Sequence, residues 1–343
     1  MSEIELTDAI LRHSLQILRL SAGEQAVVDE IMRQLEDELR QLLASRNVSA
    51  STKRELEALI ADAHRLIDPK YRAAATSTDT HRLALIVAEK TQHLIEDAIP
   101  TSVRLPSAEL LASLTKDVLI EGAPSSAWWA KQSEDTAFKF AAQVRQGIVN
   151  GETNERIVQR IVGKGGEPGI MVVARRNARA LVHSSVMTSA NQARLATYRK
   201  NGKIIAGVRW LATLDGITCP RCMALDGQAW TLDGDKLPGT TVDFQTPPIH
   251  FGDRCVLSGI PKRSALEQAF PGIGDQIDAA SQRASSRGPI SAKTSFDDFL
   301  KRQSPEFVDR VLGKGRAALF RRGKITVRDL ISGTGRELTL AEL

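Results

Sequence analysis

Aromatic residues are scarce in this chain: nine Phe, four Trp and two Tyr make up 4% of 343 residues. A protein that reads single strands by stacking bases on side-chain rings needs more of them, so that mode of nucleic-acid binding is disfavoured. Long apolar runs are missing too, and nothing approaches the roughly 18–20 residues that span a bilayer. The opening Met1-Ser-Glu-Ile-Glu-Leu carries acids where a signal peptide has a basic segment and an apolar core, so export by that route is not expected. Cysteine is limited to three residues, an odd number, all between Cys219 and Cys255. This argues against a disulfide framework and for a reducing compartment with a metal or free thiols. Charge of one sign does not dominate: the net charge is +5 and the isoelectric point about 9.2. Such a mildly basic balance permits contact with nucleic acid or an acidic surface, but many ordinary proteins share it.

Glycine is absent from Glu24 to Glu121, and apolar residues recur there at helical spacing, which predicts a set of long helices. The clearest starts after Ser21-Ala22-Gly23, with Val28, Met32, Leu35, Leu39 and Leu42 forming a narrow heptad-like stripe. That stripe serves either as the seam of a three-helix bundle or as a docking surface for other subunits. A second helix is expected from Thr52 to Ile67, stopped by Asp68-Pro69, and a third from Asp79 to Ile99. Trp128-Trp129 reads as a packing anchor at a hinge or domain entry, followed by a helix to about Val149 and an Asn150-Gly151 turn. Thr153 caps a helix over Asn154 to Val162, which runs into Gly163-Lys164-Gly165-Gly166, read as flexible. That run is not a nucleotide-binding loop, because no Gly-Lys-Ser/Thr follows.

Val173 to Lys200 predicts one long helix with a small-residue face at Ala178, Val182, Ser185, Ser189, Ala193 and Ala196, closed by Asn201-Gly202. Short strands at Val208–Leu211 and Gln228–Thr231, broken by Asp-Gly turns, predict a small β-rich module. After Cys255 a return to helix is expected, with a linker at Ala279–Ser295. Ser304-Pro305 caps a helix ending at Gly313, and Thr339 with Glu342 matches a capping box. Lys314, Arg316, Arg321, Arg322 and Lys324 form a basic stretch, read as a solvated face or as a nucleic-acid or portal contact. The fold class is therefore α+β, mainly α: long N-terminal helices over 1–122, a central helical region with a Cys/His module at 208–258 within 123–260, a linker at 261–295 and a helical extension over 296–343.

The chemistry gathers in Cys219-Pro-Arg-Cys222, His250 and Cys255. Two thiolates two residues apart fit one tight knuckle, and a distant His and Cys complete a tetrahedral set for zinc. The alternatives are a dithiol redox pair at Cys219 and Cys222 and a plain trio of structural thiols. A zinc deaminase is excluded, since no His-x-Glu lies upstream and Thr218, not proline, precedes Cys219.

The ordered set Ala190-Asn191-Gln192-Ala193-Arg194, Tyr198, Trp210, Asp215, Thr218-Cys219-Pro220-Arg221-Cys222, Leu225-Asp226-Gly227, Trp230, Pro247-Pro248-Ile249-His250 and Arg254-Cys255 resembles the phage Mu F-like minor head protein family. The likeness covers about Ala123 to Cys255, and the last 50 residues resemble the C-terminal extension of Mu-like members. The first 120 residues carry no assignable motif. Two positions depart from the family pattern. Asp253 replaces the first cysteine of a His-Pro-Asn-Cys-Arg-Cys ending, and His183-Ser184 stands where many members have Arg-Thr. The first change leaves Cys219, Cys222, His250 and Cys255 as zinc ligands, with Asp253 as an alternative oxygen ligand.

The resemblance implies a non-enzymatic, structural minor head protein of a tailed phage, present in few copies at the portal vertex of the virion after assembly in the host cytoplasm. It would act in capsid assembly, DNA packaging or ejection, with portal, capsid and scaffold proteins as partners, phage DNA as a further one, and no membrane or small-molecule substrate. Zinc would be structural. The rivals are a zinc-stabilised nucleic-acid-binding protein, and an enzyme working by redox at Cys219/Cys222 or hydrolysis at His250 and Asp253.

Overall fold

The computed structural model describes residues 3–46, 48, 52–99, 101–269, 282–285, 288–291 and 294–343. In chain order the elements are α1 (Glu3–Ala44), α2 (Lys53–Ala75), α3 (Thr80–Ala98), α4 (Ala108–Thr115), β1 (Leu119–Ile120), β2 (Ala123–Pro124), α5 (Ser125–Val149) and α6 (Asn154–Val162). There follow β3 (Gly163–Lys164), β4 (Glu167–Pro168), α7 (Ile170–Lys200), β5 (Ile205–Leu211), α8 (Pro220–Leu225), β6 (Ala229–Thr231) and β7 (Val256–Pro261). The remainder is α9 (Arg263–Ala269), β8 (Gln282–Ser285), β9 (Gly288–Ser291), α10 (Phe296–Lys301), α11 (Pro305–Leu312), α12 (Lys314–Arg321) and a 3-10 turn at Val327–Leu330. The class is α+β and mainly α, as the residue patterns indicate. Among the described residues no helix is long and apolar enough to cross a membrane.

Several boundaries differ from expectation. Helix α1 does not start after Gly23 but runs straight through it. A mid-helix glycine costs about 1 kcal/mol, whereas buried Ile10 and Ile17 before it and Val28 and Met32 after it keep one stripe continuous. The stripe ends on fully buried Leu43, with Leu42 only half-buried, and its burial makes it part of the protein's own core. Helix α2 likewise continues past Pro69. Interior proline costs roughly 3 kcal/mol, but stopping there would strand Tyr71, whose hydroxyl meets Thr136 Oγ1 at 2.7 Å. The Tyr71 ring also packs edge-on against Trp129, 6.3 Å between centroids. The glycine run after α6 forms a β3–β4 hairpin in place of a flexible loop. Beyond Cys255 the chain enters strand β7 before α9, because β7 pairs along β5 from Leu211↔Val256 to Ile205↔Pro261. Of the expected linker, residues 270–281, 286–287 and 292–293 lie outside the described residues, while β8 and β9 pair antiparallel.

The chain divides into two compact units. One comprises Arg19–Thr80 and Asp117–Val186. Here the apolar faces of α2 and α5 pack together, α6 closes over α5 with Ile157 against Gly147, and α1 contributes the Val28–Leu43 part of its stripe. Trp129 is buried, and Trp128 Nε1–H donates to Ile120 O at 2.8 Å, so the tryptophan pair anchors packing. Helix α7 donates Arg175 and Arg179 to Glu36 and Asp29 of α1.

The other unit comprises Met1–Leu18, His81–Lys116 and Met187–Leu343. Its centre is a three-stranded antiparallel sheet, order β6-β5-β7, met by Asn191 and Tyr198 from the C-terminal part of α7. Gly259 of β7 is needed there, since a Cβ would fall 2.9 Å from the Tyr198 ring. Asn191 of α7 ties down β7 by donating to Cys255 O at 3.2 Å and accepting from Leu257 N at 3.4 Å. The C-terminal extension folds onto the same module. Phe307 of α11 sits against Gly216, where a Cβ would be 3.0 Å from its ring, and Asp243 N–H donates to Gly333 O at 2.8 Å. Ser304 caps α11 and Gly313 stops it with φ 79°. Of the expected capping box only one half forms: Thr339 N–H donates to Glu342 Oε2 at 2.8 Å, while the Thr339 hydroxyl also donates to that carboxylate at 2.9 Å and Glu342 N–H goes to Thr339 O, closing a terminal turn with no helix after it.

Candidate metal centre

The two halves of the cluster are built by different devices. Asp215 accepts from Ile217 N, Thr218 N and the Thr218 hydroxyl, each at 3.0 Å, which folds the turn ahead of the knuckle. Cys219 then caps α8: its sulfur accepts from Cys222 N at 3.3 Å, and Pro220 takes the first helical position, where a missing N–H costs nothing. One turn of helix places Cys222 beside Cys219. The second half is the segment from the cis Pro247-Pro248 bond to Cys255. Asp253 braces it: one carboxylate oxygen accepts from Ile249 N at 2.9 Å and the other from Cys255 N at 2.8 Å.

These devices bring all five predicted residues together. His250 Nε2 lies 3.2 Å from both Cys219 Sγ and Cys222 Sγ. Cys222, Asp253 and Cys255 form a second group with ligand atoms within 4.8 Å of one another, so Cys222 belongs to both. Tetrahedral zinc with bonds of about 2.3 Å to sulfur and 2.0 Å to nitrogen sets those atoms about 3.5 Å apart, close to the spacing found. The imidazole has the matching orientation. Its Nδ1 is 2.8 Å from Phe251 O; donating there leaves Nε2 with a lone pair toward the sulfurs, the backbone contact that orients metal-binding histidines.

The electrostatics follow from crowding sulfur around one imidazole. The Cys222 thiol, the His250 ring and the Cys222 N–H stabilise the Cys219 thiolate and lower its pKa to about 5. His250 is raised to about 9, chiefly by Cys219. Cys222 is pushed up by hydrogen bonding to Cys219 and Cys255, and burial raises Cys255 to about 12. Three thiols and a carboxylate thus share a site with one imidazole, a donor set suited to a divalent, thiophilic cation.

Two residues outside the predicted set hold the halves in register. Arg254 forms a bidentate pair with Asp215, Nη1–Oδ2 at 2.8 Å and Nη2–Oδ1 at 3.0 Å, and also donates to Thr218 Oγ1. It links the turn before Cys219 to the residue before Cys255. The sequence marks Asp215 as a turn and both Asp215 and Arg254 as parts of the Mu F-like pattern, but not as partners of one another. Opposite charges flanking both ligand motifs are the signal that would have found them. His183 stands apart from this cluster on α7, where its Nδ1 meets Ser21 Oγ at 3.0 Å; it serves packing in the helical unit.

Asp253 is a brace whose loss has a definite cost. Asp253→Ala leaves two N–H groups without their acceptor in a site where Asp253 itself is 2% exposed, at about 1–3 kcal/mol each. Denaturant melts are expected to show a loss of that order; a change below about 0.5 kcal/mol would show that the loop holds its shape without the carboxylate.

Among comparisons with known proteins, residues 139–258 match the family described as Phage Mu protein F like protein. No curated protein and no solved structure matches the chain significantly. The matched segment takes in α7, strands β5 and β6, the start of β7 and every residue of the Cys/His cluster. Over residues 139–258 the chain is therefore similar to the phage Mu F-like family.

Proposed function

We propose that this protein is a structural minor head protein of a tailed phage, seated at the portal vertex of the virion and acting in head morphogenesis. The observation that carries this reading is the Mu F-like match over 139–258, which encloses the closed Cys/His cluster. Portal, capsid and scaffold proteins are its partners in this reading, and its contribution to DNA packaging or ejection comes through the portal.

The same reading gives the cluster a structural zinc, held by Cys219, Cys222, His250 and Cys255, with Asp253 as the alternative oxygen ligand. Four protein ligands fill a tetrahedral shell and leave no open position for a reacting water. Bound metal would supply folding energy to a module with only three short strands. The burial of Cys222, Asp253 and Cys255 and the backbone contacts on Asp253 and His250 favour holding over turnover.

The functional test is genetic. Deleting the gene from its phage is expected to abolish or arrest head assembly, with the chain recovered in wild-type particles and retained by immobilised portal protein. Normal yields of infectious heads from the deletion phage would overturn the reading.

A further inference from the structure

The run Gly163-Lys164-Gly165-Gly166 has a role of its own in the helical unit. Its glycines are required locally: a Cβ on Gly163 would lie 2.7 Å from Gly169 N, and one on Gly169 would lie 2.3 Å from Gly163 N. Gly165 and Gly166 turn the hairpin with φ +58° and +91°. This closed hairpin, together with α5 and α6, walls a cavity of about 480 Å³ lined by Gln143, Arg156, Gln159, Arg160, Lys164 and Glu167. Three cations and two amides face one carboxylate.

The cations differ in how they are held. Arg160 is fixed in place, with Nε donating to Glu152 Oε2 at 2.6 Å and Nη1 to Gln143 Oε1 at 3.1 Å. Arg156 donates to Gln159 Oε1 at 3.4 Å and feels the charge of Glu152 from a distance, and among the described residues neither Arg156 nor Lys164 makes a direct salt bridge. Both are exposed at the cavity.

We propose that this cavity binds a phosphoryl group, carried by a small phosphate compound or by a nucleic-acid backbone. Phosphate oxygens accept several hydrogen bonds and carry more than one negative charge, which suits a lining of guanidinium, ammonium and amide donors. Helix α7 begins at Ile170 in the cavity wall, so the positive end of its dipole adds to the field. The site is made of residues separate from the Cys/His cluster and does not depend on metal there.

The test uses the full chain, inorganic phosphate by calorimetry and a short DNA duplex by fluorescence anisotropy across a salt series. Arg156→Ala/Lys164→Ala is the site variant, and Lys139→Ala, an exposed α5 cation outside the cavity, is the control. The site variant is expected to weaken binding roughly tenfold or more, with the control unchanged and circular dichroism showing both variants folded. Duplex binding whose salt slope falls by about two in the site variant identifies a nucleic-acid backbone. Binding of phosphate without duplex identifies a small phosphate compound. Binding of neither probe by the wild type, or equal weakening by site variant and control, overturns the proposal.

Discussion

Stripping metal from the purified protein with a strong chelator is expected to release about one equivalent of zinc and to unfold the Cys/His module. The basis is geometric. His250 Nε2 is 3.2 Å from two sulfurs, and Cys255 with Asp253 closes the group. Structural zinc supplies apparent binding energies of about 10–16 kcal/mol in small peptides, more than a short three-stranded sheet could replace. Trp210 and Trp230 are fully buried in that sheet, so their fluorescence reports the loss. Cys222→Ser removes the ligand shared by both groups and is expected to abolish zinc content in the folded protein. Equal and negligible zinc in wild type and variant would end the metal reading.

Arg194→Met is expected to stabilise the protein by about 1–4 kcal/mol, the range seen when buried ionic groups give way to apolar ones. Arg194 is fully buried in α7, and its Nε and Nη1 have no hydrogen-bond partner among the described residues. Its remaining nitrogen, Nη2, is 3.4 Å from His13 Nδ1 of α1. Burial lowers the arginine to about 10, so it stays charged near neutral pH. Burial, then Arg194, then Lys90, lower His13 to about 3.

The pH dependence follows in sign from that depression. Between the ordinary value of 6.5 and about 3, unfolded His13 binds a proton that the folded state refuses. Its contribution is therefore complete above about pH 6.5 and is lost as pH falls toward 3, up to about 4–5 kcal/mol. Arg194→Met removes the second cause of the depression, so the acid-side slope of stability is expected to become shallower. Denaturant melts at pH 7, 5.5 and 4 measure both effects. A destabilised Arg194→Met with an unchanged slope would show that the guanidinium is fully paired inside the fold.

Local signals were legible where they act on neighbours in sequence. The Ser304-Pro305 and Gly313 ends of α11, the Thr153 cap and the Asp-Gly turns of the module all appear where their side chains and φ preferences put them. Interruptions were misread for the opposite reason. Gly23 and Pro69 each disfavour helix locally, but Val28 and Tyr71 beyond them are buried in the core, and tertiary packing outweighs one or two unfavourable backbone positions. Strand β7 was hidden because Val256–Pro261 gains its ladder from β5 and a further bond from Asn191 of α7, both distant in sequence.

By itself the sequence determined the mainly helical class, the Mu F-like character and the Cys/His set that could hold a metal, since residue type and short spacing carry those properties. Tertiary structure alone decided which groups meet. It set Asp253 to brace the second ligand segment, closed Arg254 onto Asp215, folded the C-terminal extension against Gly216, and gathered Arg156, Arg160 and Lys164 around one cavity. The Arg254–Asp215 pair and the Phe307–Gly216 approach join segments distant in sequence, whereas Arg156, Arg160 and Lys164 follow at helical spacing and Asp253 braces near neighbours, so only the tertiary fold shows what those local patterns enclose.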